Sequence, residues 1–266
     1  MQHLTRLAIL PLLFALLVGC GRTAPIQNPT APPTRVIKSN FTDSDPQDFH
    51  GKHPKRYPVH GIDAARYQGA IDWQTAAASG VSFAYLKATE GGDGLDPAFA
   101  SNWQSAAIEG IPRGAFHFFY FCRPATEQAA WFIRNVPRST GALPPVLDME
   151  WTPFSPTCTL RPDAADVRAE AETFLNLIEV HYGQRPLIYT SPEFFATNQL
   201  GRISRAEFWL RSVADHPSHT YPDQPWTFWQ YSSTGGVPGV QGPVDTNVFA
   251  GSIDTWQNWL AARSQP

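Results

Sequence analysis

The sequence predicts an α/β chain in which one domain closes eight strands into a barrel, with five helices outside and the last three strands nearly bare. Three observations predict it. Short apolar runs alternate five times with amphipathic stretches between residues 59 and 200. Gly80, Gly110, Pro137 and Gly183 stop the first four of those stretches, as helix ends require. In the last third the long amphipathic stretches vanish, and strand-like runs remain, divided by Pro, Gly and Ser. Successive strand-then-helix units call for parallel strands joined by right-handed crossovers. An open doubly wound sheet is the alternative, but no G-x-G-x-x-G follows the first strand.

The elements follow in chain order. "VHGIDAA" (59–65) reads as a strand before the helical "DWQTAAASG", and "VSFAYLKAT" (81–89) as one before "DPAFASNWQSAAIEG". "RGAFHFFYF" (113–121) precedes "TEQAAWFIRNV", and "LPPVLDMEW" (143–151) precedes the long "RPDAADVRAEAETFLNLIEVHYG". "PLIYT" (186–190) precedes "SPEFFATNQL". The closing strands are "EFWLRSV", "WTFWQYS" and "VDTNVFA".

Ahead of the barrel the texture differs. Residues 1–19 carry His3 and Arg6 and then an apolar run, Leu7 to Val18, that is short for a membrane span and suited to the core of a signal peptide. "LVGC" resembles a bacterial lipobox, with cleavage after Gly19 and acylation of Cys20, and acyl chains anchor a protein to a membrane. Gly21 in place of Asp resembles outer-membrane sorting, so the expected location is that of an exported lipoprotein, periplasm-facing or surface-exposed. Residues 20–57 are rich in Pro, Thr, Asn and Asp without a sustained period, the texture of a tether, which places the barrel at 58–266. The remaining cysteines, Cys122 and Cys158, form an even pair in a disulfide-permissive compartment and are expected to be bonded.

Composition excludes some partners. A net charge of −3 over 266 residues, with 16% charged, offers no basic footprint for nucleic acid. Aromatics at 13%, nine of them Trp, exceed a minimal core and suit a site that stacks flat ligand faces.

Asp148 and Glu150 interrupt an otherwise apolar run. Two apart on a strand, they face one side with Cα atoms about 6 to 7 Å apart. They also sit at the C-terminal end of the fourth strand, where barrels carry their chemistry. Asp63, Glu90 and Asp245 fall at strand ends that can reach the same mouth; Glu90 alone fits a helix cap or a solvated loop as well. Like charges this close beside Met149 and Trp151 push one carboxyl toward protonation while the other stays ionised. One proton donor and one anion are the requirements of glycosidic cleavage. No H-E-x-x-H, C-x-x-C or G-x-S-x-G occurs, and "GGDGLDP" lacks the Lys of a phosphate loop, so neither a metal site nor a cofactor is implied.

"GIDAARYQGAIDW", "FAYLKATEG", "GAFHFF", "LPPVLDMEW", "PLIYT" and "FWQYSSTGGVPGVQGPVDTNVFAG", in this order, resemble the glycoside hydrolase family 25 muramidases, lysozymes with an irregular TIM-like (β/α)5(β)3 barrel. The resemblance runs from about residue 59 to the C-terminus. It implies hydrolysis of the β-1,4 bond between N-acetylmuramic acid and N-acetylglucosamine in peptidoglycan by a monomer. Glu150 matches the general acid and Asp148 the acid that orients the substrate's 2-acetamido group; Asp63 and Asp245 match two further acids of the site. Tyr189, His117, Trp229 and Gln230 fall on matching strands and become candidates for sugar contacts. Ala65 stands where many relatives carry Ser, and "WLRSV" departs from the usual sixth strand. A wall-binding lipoprotein that keeps the barrel without catalysis is the alternative function. A chitinase-like hydrolase is disfavoured because D-x-x-D-x-D-x-E is absent.

Overall fold

A computed structural model of the chain describes residues 35–263. The leader at 1–19 and the acylation candidate Cys20 lie outside the described residues. Among those described, no helix is long and apolar enough to cross a membrane.

Strand β1 is the short Thr42–Asp43. The five strand-then-helix units follow as β2 (His60–Ala64) with α1 (Trp73–Ala78), β3 (Phe83–Glu90), its hairpin partner β4 (Gly94–Leu95) and α2 (Phe99–Ile108), β5 (Arg113–Phe118) with α3 (Ala125–Asn135), β6 (Val146–Met149) with α4 (Ala164–Tyr182), and β7 (Leu187–Thr190) with α5 (Pro192–Asn198). Then come β8 (Phe208–Arg211), a single-turn α6 (Pro217–Thr220), β9 (Phe228–Gly236), β10 (Val244–Phe249) and α7 (Ile253–Arg263). The barrel closes in the order β2-β3-β5-β6-β7-β8-β9-β10 and back to β2. All its pairs are parallel except those of β10, which runs antiparallel to both β9 and β2. The predicted α/β barrel of eight strands, the first five each followed by a helix, is the one observed, with α6 and α7 in addition to the five helices expected.

Local chemistry sets the helix ends. Asp72 caps α1 by accepting from the Thr75 amide at 3.0 Å. Gly183, at φ +75°, ends α4 in the left-handed conformation that glycine adopts without a Cβ penalty. Along α4, Val167, Ala171, Phe174, Leu175, Ile178 and Tyr182 form the buried stripe of an amphipathic helix.

Strand alternation then sorts the core into two layers. Outward residues such as Ile62, Ala64, Leu86, Leu147 and Ile188 pack beneath the helices. Inward ones, Phe83, Tyr85, Val146, Leu187, Trp209 and Phe228, fill the barrel. Gly114 leaves room for that filling, since a Cβ there would lie 2.2 Å from the Tyr85 ring. Helix α7 plugs the end of the barrel opposite the acids with Trp256, which lies 5.1 Å from Phe249 and 5.5 Å from Phe83 between ring centroids. The sequence reading placed no helix after residue 250, although Ser252 caps α7 at the Thr255 amide and Ile253, Trp256 and Leu260 mark one face.

The stretch expected as a tether to residue 57 is, in its described part, packed on the barrel. β1 pairs antiparallel with β9, Asn40 donates its amide to the Ser79 carbonyl at 3.1 Å, and Phe49 is 3% exposed against Trp229. The Cα of Ser39 comes so near Gly80 that a Cβ there would lie 2.5 Å away. Isolated anchors such as Phe49, rather than a periodic face, hold this segment, which is why periodicity does not reveal it.

Candidate active site

The acids converge because three strands deliver them with the same inward phase. Asp63 lies on β2 with Gly61, Asp148 on β6 with Val146, and Glu150 one inward step beyond Asp148. Asp245 pairs across the β10–β2 ladder with Asp63. Together they line one cleft of 290 Å³ at the C-terminal ends of the parallel strands, with Tyr189, Gln230, Trp209, Lys87, Arg211 and Tyr67. That volume is near the lower bound for small-ligand pockets. A larger hollow of 930 Å³ lies between the N-terminal segment and the barrel and contains none of the four acids.

Asp63 is held by a buried relay of side chains. Gln230 Nε2 donates to its Oδ1 at 3.1 Å and Asn247 Nδ2 to the same oxygen at 2.7 Å. The two amides are themselves oriented: Tyr189 OH donates to Gln230 Oε1 at 2.8 Å, and Trp209 Nε1 donates to Asn247 Oδ1 at 2.7 Å. Each amide carbonyl is therefore occupied, so each NH2 must face the carboxylate. Burial raises the Asp63 pKa to about 6 even though those two donors favour its anion.

The remaining acids differ in environment. Asp148 is 6% exposed and its Oδ1, itself shielded from solvent, has no hydrogen-bond partner among the described residues. Burial first, and the negative charge of Glu150 second, push its pKa well above the carboxylate range. Glu150 is only partly buried; burial and Asp63 raise its pKa, while Arg211 and Lys87 draw it down. Asp245 is pushed up to about 8 by burial and then by Asp63. The cleft thus holds fewer negative charges at neutral pH than its four carboxyls suggest, with proton donors and anions side by side.

The two cations were not singled out from sequence. Lys87 pairs with Glu90 at 2.5 Å and lies 4.9 Å above the Phe118 ring, so Glu90 serves as the partner of Lys87. Trp209 and Asn247 were also missed as parts of the site. Their inward phase, two residues from Arg211 and from Asp245, was the available signal.

Of the four predicted sugar contacts, Tyr189 and Gln230 line the cleft, whereas His117 and Trp229 do not. Both point outward by strand parity. His117 is fully buried between barrel and helices, stacked 5.0 Å from Phe174, and receives Thr89 Oγ1 at Nδ1 (2.7 Å). Its Nε2 meets Gln128 Oε1 at 3.0 Å; because Gln128 spends its NH2 on two carbonyls, the ring proton sits on Nε2. Burial lowers the His117 pKa to about 4, consistent with a neutral packing residue. Trp229 is likewise fully buried, donates to the Ser212 carbonyl at 2.8 Å and packs on Phe49 of the N-terminal segment. Cys122 and Cys158 are disulfide-bonded and tie the loop after β5 to the loop after β6.

Comparison with known proteins gives a consistent neighbourhood. The sequence profile of Glycosyl hydrolases family 25 matches residues 62–240. Lysozyme M1 of Streptomyces globisporus is 37% identical over 213 residues, covering 73% of this chain and 68% of its own. The uncharacterized protein YegX of Escherichia coli O6:H1 is 36% identical over 225 residues, 80% of this chain and 78% of its own. Among solved structures, a family 25 glycosyl hydrolase from Bacillus anthracis superposes with a TM-score of 0.70 at 35% identity, covering 77% of this chain and 95% of that one.

Proposed function

The chain belongs to glycosyl hydrolases family 25, and from that premise we propose that it is a peptidoglycan muramidase cleaving the β-1,4 bond between N-acetylmuramic acid and N-acetylglucosamine. The observation that carries this reading is the delivery of Asp63, Asp148, Glu150 and Asp245 into one cleft, supported by the likeness to a lysozyme.

Glu150 acts as the general acid. It is the member of the central pair that is open to the cleft, and its pKa is raised, so it can hold a proton for the leaving oxygen. Asp148, which lines the cleft, accepts the N–H of the substrate's 2-acetamido group at its carboxyl and orients the amide. The acetamido oxygen attacks C1 as the C1–O bond breaks and Glu150 protonates the departing sugar. Water then gives its proton to the Glu150 carboxylate, attacks C1 and restores the acetamido group. No protein nucleophile bonds to the sugar, the substrate-assisted exception among glycosidases. Asp63, the more readily ionised of its pair with Asp245, supplies the negative potential that steadies the positive charge at C1.

The protein is exported, with residues 1–19 as leader and Cys20 as the lipidated residue in the outer membrane, on the strength of the "LVGC" sequence. The stretch between Cys20 and the packed segment serves as spacer, and the unit works as a monomer without a cofactor.

The test is digestion of purified peptidoglycan by the full chain, with mass spectrometry of borohydride-reduced products. Muropeptides ending in reduced muramic acid, absent with Glu150→Gln, establish the reaction. Reduced glucosamine ends overturn the bond choice, and sacculus binding without products favours a non-catalytic wall-binding lipoprotein. Release of the protein from membranes on Cys20→Ala tests the anchor.

A further inference from the structure

A cluster of metal-ligating groups lies outside the cleft, at the seam between the N-terminal segment and the connection from β8 to β9. His50 Nδ1 is 3.3 Å from Asp215 Oδ1, and His219 Nδ1 is 3.0 Å from the same oxygen. The three ligand atoms all lie within 4.8 Å of one another. Zinc at about 2.0–2.2 Å from N and O ligands in a tetrahedron spaces those ligands about 3.3–3.5 Å apart. Two of the three separations already approximate that edge.

The frame that holds the ligands is built. Phe49 and His50 are consecutive non-glycine residues at φ 52° and 49°, a conformation that opposes its own Cβ atoms. It is kept in place by the Asp48 carboxylate accepting the His50 amide at 2.9 Å and by burial of Phe49 against Trp229. On the other side the His216 amide donates to Asp215 Oδ1 at 2.7 Å, and Ser212 Oγ donates to the Asp215 carbonyl at 2.6 Å. His216 is engaged by Tyr57 OH and Ser218, so it is not a competing ligand.

We propose that His50, Asp215 and His219 form a binding site for one tetrahedral divalent transition metal, Zn²⁺ foremost, that clamps the N-terminal segment to the β8–β9 connection. Two imidazoles and a carboxylate with water as fourth ligand suit zinc better than calcium or magnesium, which take oxygen shells. Lys52 opposes the site: its Nζ lies 3.2 Å from His219 Nε2, and a metal on Nδ1 moves the ring proton to Nε2, where Lys52 can no longer donate. Lys52 also donates to Ser218 Oγ at 2.8 Å and keeps that partner when the metal is bound. The clamp lies outside the cleft, so it acts on stability rather than on hydrolysis.

The experiment uses the full chain without a polyhistidine tag, stripped with chelator and dialysed against Zn²⁺ at pH 7.5. Elemental analysis and thermal melting are the readouts, and Co²⁺ absorption reports the geometry. One equivalent of zinc, a melting temperature that rises with zinc, and a tetrahedral Co²⁺ spectrum are expected. All three should be lost in His50→Ala and in His219→Ala and kept in His181→Ala, while Lys52→Met should bind more tightly. Zinc content that is substoichiometric in the unmutated chain, or unchanged in both ligand variants, overturns the site.

Discussion

Asp63 and Asp245 face each other across the antiparallel pair of β2 and β10, yet among the described residues only Asp63 receives side-chain amide donors, from Gln230 and Asn247. The asymmetry separates their proton affinities: Asp63 is raised to about 6 and Asp245 to about 8, burial being the main cause in both. The pair therefore carries a proton at neutral pH, and Asp245 is its holder.

Stability follows from that proton. A carboxyl whose pKa is higher folded than unfolded binds more protons in the native state between the two values, so stability falls as pH rises through that window. For Asp245 the window runs from its ordinary value of 3.8 to about 8. Asp245→Asn should flatten the decline in stability between pH 4 and pH 8, and at pH 9 it should stabilise the fold by on the order of 1–3 kcal/mol. Urea melts across pH check this; a slope unchanged by the substitution counts against the assignment.

The pH profile of hydrolysis tests Arg211. Its guanidinium favours the Glu150 anion and so lowers the pKa of the acid that must enter the reaction protonated. Arg211→Gln should move the alkaline limb of the rate profile upward by on the order of one pH unit. A limb that moves down or stays fixed places the titrating group elsewhere.

Tyr189 should act through Gln230. Tyr189→Phe removes the only hydroxyl that orients the Gln230 amide among the bonds described, leaving its buried carbonyl unpaired and its NH2 free to turn from Asp63. The expected cost is about 1–3 kcal/mol in stability, and about tenfold or more in kcat, with a smaller change in KM. In a Gln230→Ala background Tyr189→Phe should cost little further, and an equal loss in both backgrounds would show that the two side chains act independently.

The sequence made the barrel and the four acids legible because both depend on local period. Strand parity alone places Asp148 with Glu150, and it also separates Tyr189 and Gln230 from His117 and Trp229. The latter two were misplaced by reading a matching strand without its phase. What stayed hidden depends on contacts distant in sequence. Gln230 and Asn247 lie 167 and 184 residues from Asp63, and no window of sequence signals that they converge on one oxygen. Helix α7 was legible in Ser252, Ile253, Trp256 and Leu260, yet the preceding Gly- and Pro-rich loops masked it.

The disulfide should brace the loops after β5 and β6. Cys122 and Cys158 are 36 residues apart, and closing a loop of that length restricts the unfolded chain by about 3–4 kcal/mol. Cys122→Ser with Cys158→Ser should lower stability by up to that amount. The loops after β5 and β6 should also become more protease-sensitive, since they lose their covalent tie. Limited proteolysis mapped by mass spectrometry checks the second point independently of the first.

The packed N-terminal segment makes the sharpest structural prediction, because a tether and a part of the fold respond differently to one substitution. Phe49 is 3% exposed, its ring centroid is 5.2 Å from that of Trp229, and Trp229 sits on the outer face of β9 directly beside the inward Gln230. Truncating a buried Phe costs about 3–5 kcal/mol in a core, whereas in a free tether it costs nothing. Phe49→Ala should therefore lower the melting temperature of the full chain, and a chain beginning at residue 58 should be destabilised in the same way by exposing Trp229. Equal stability of Phe49→Ala and the unmutated chain would return residues 35–57 to the role of a spacer.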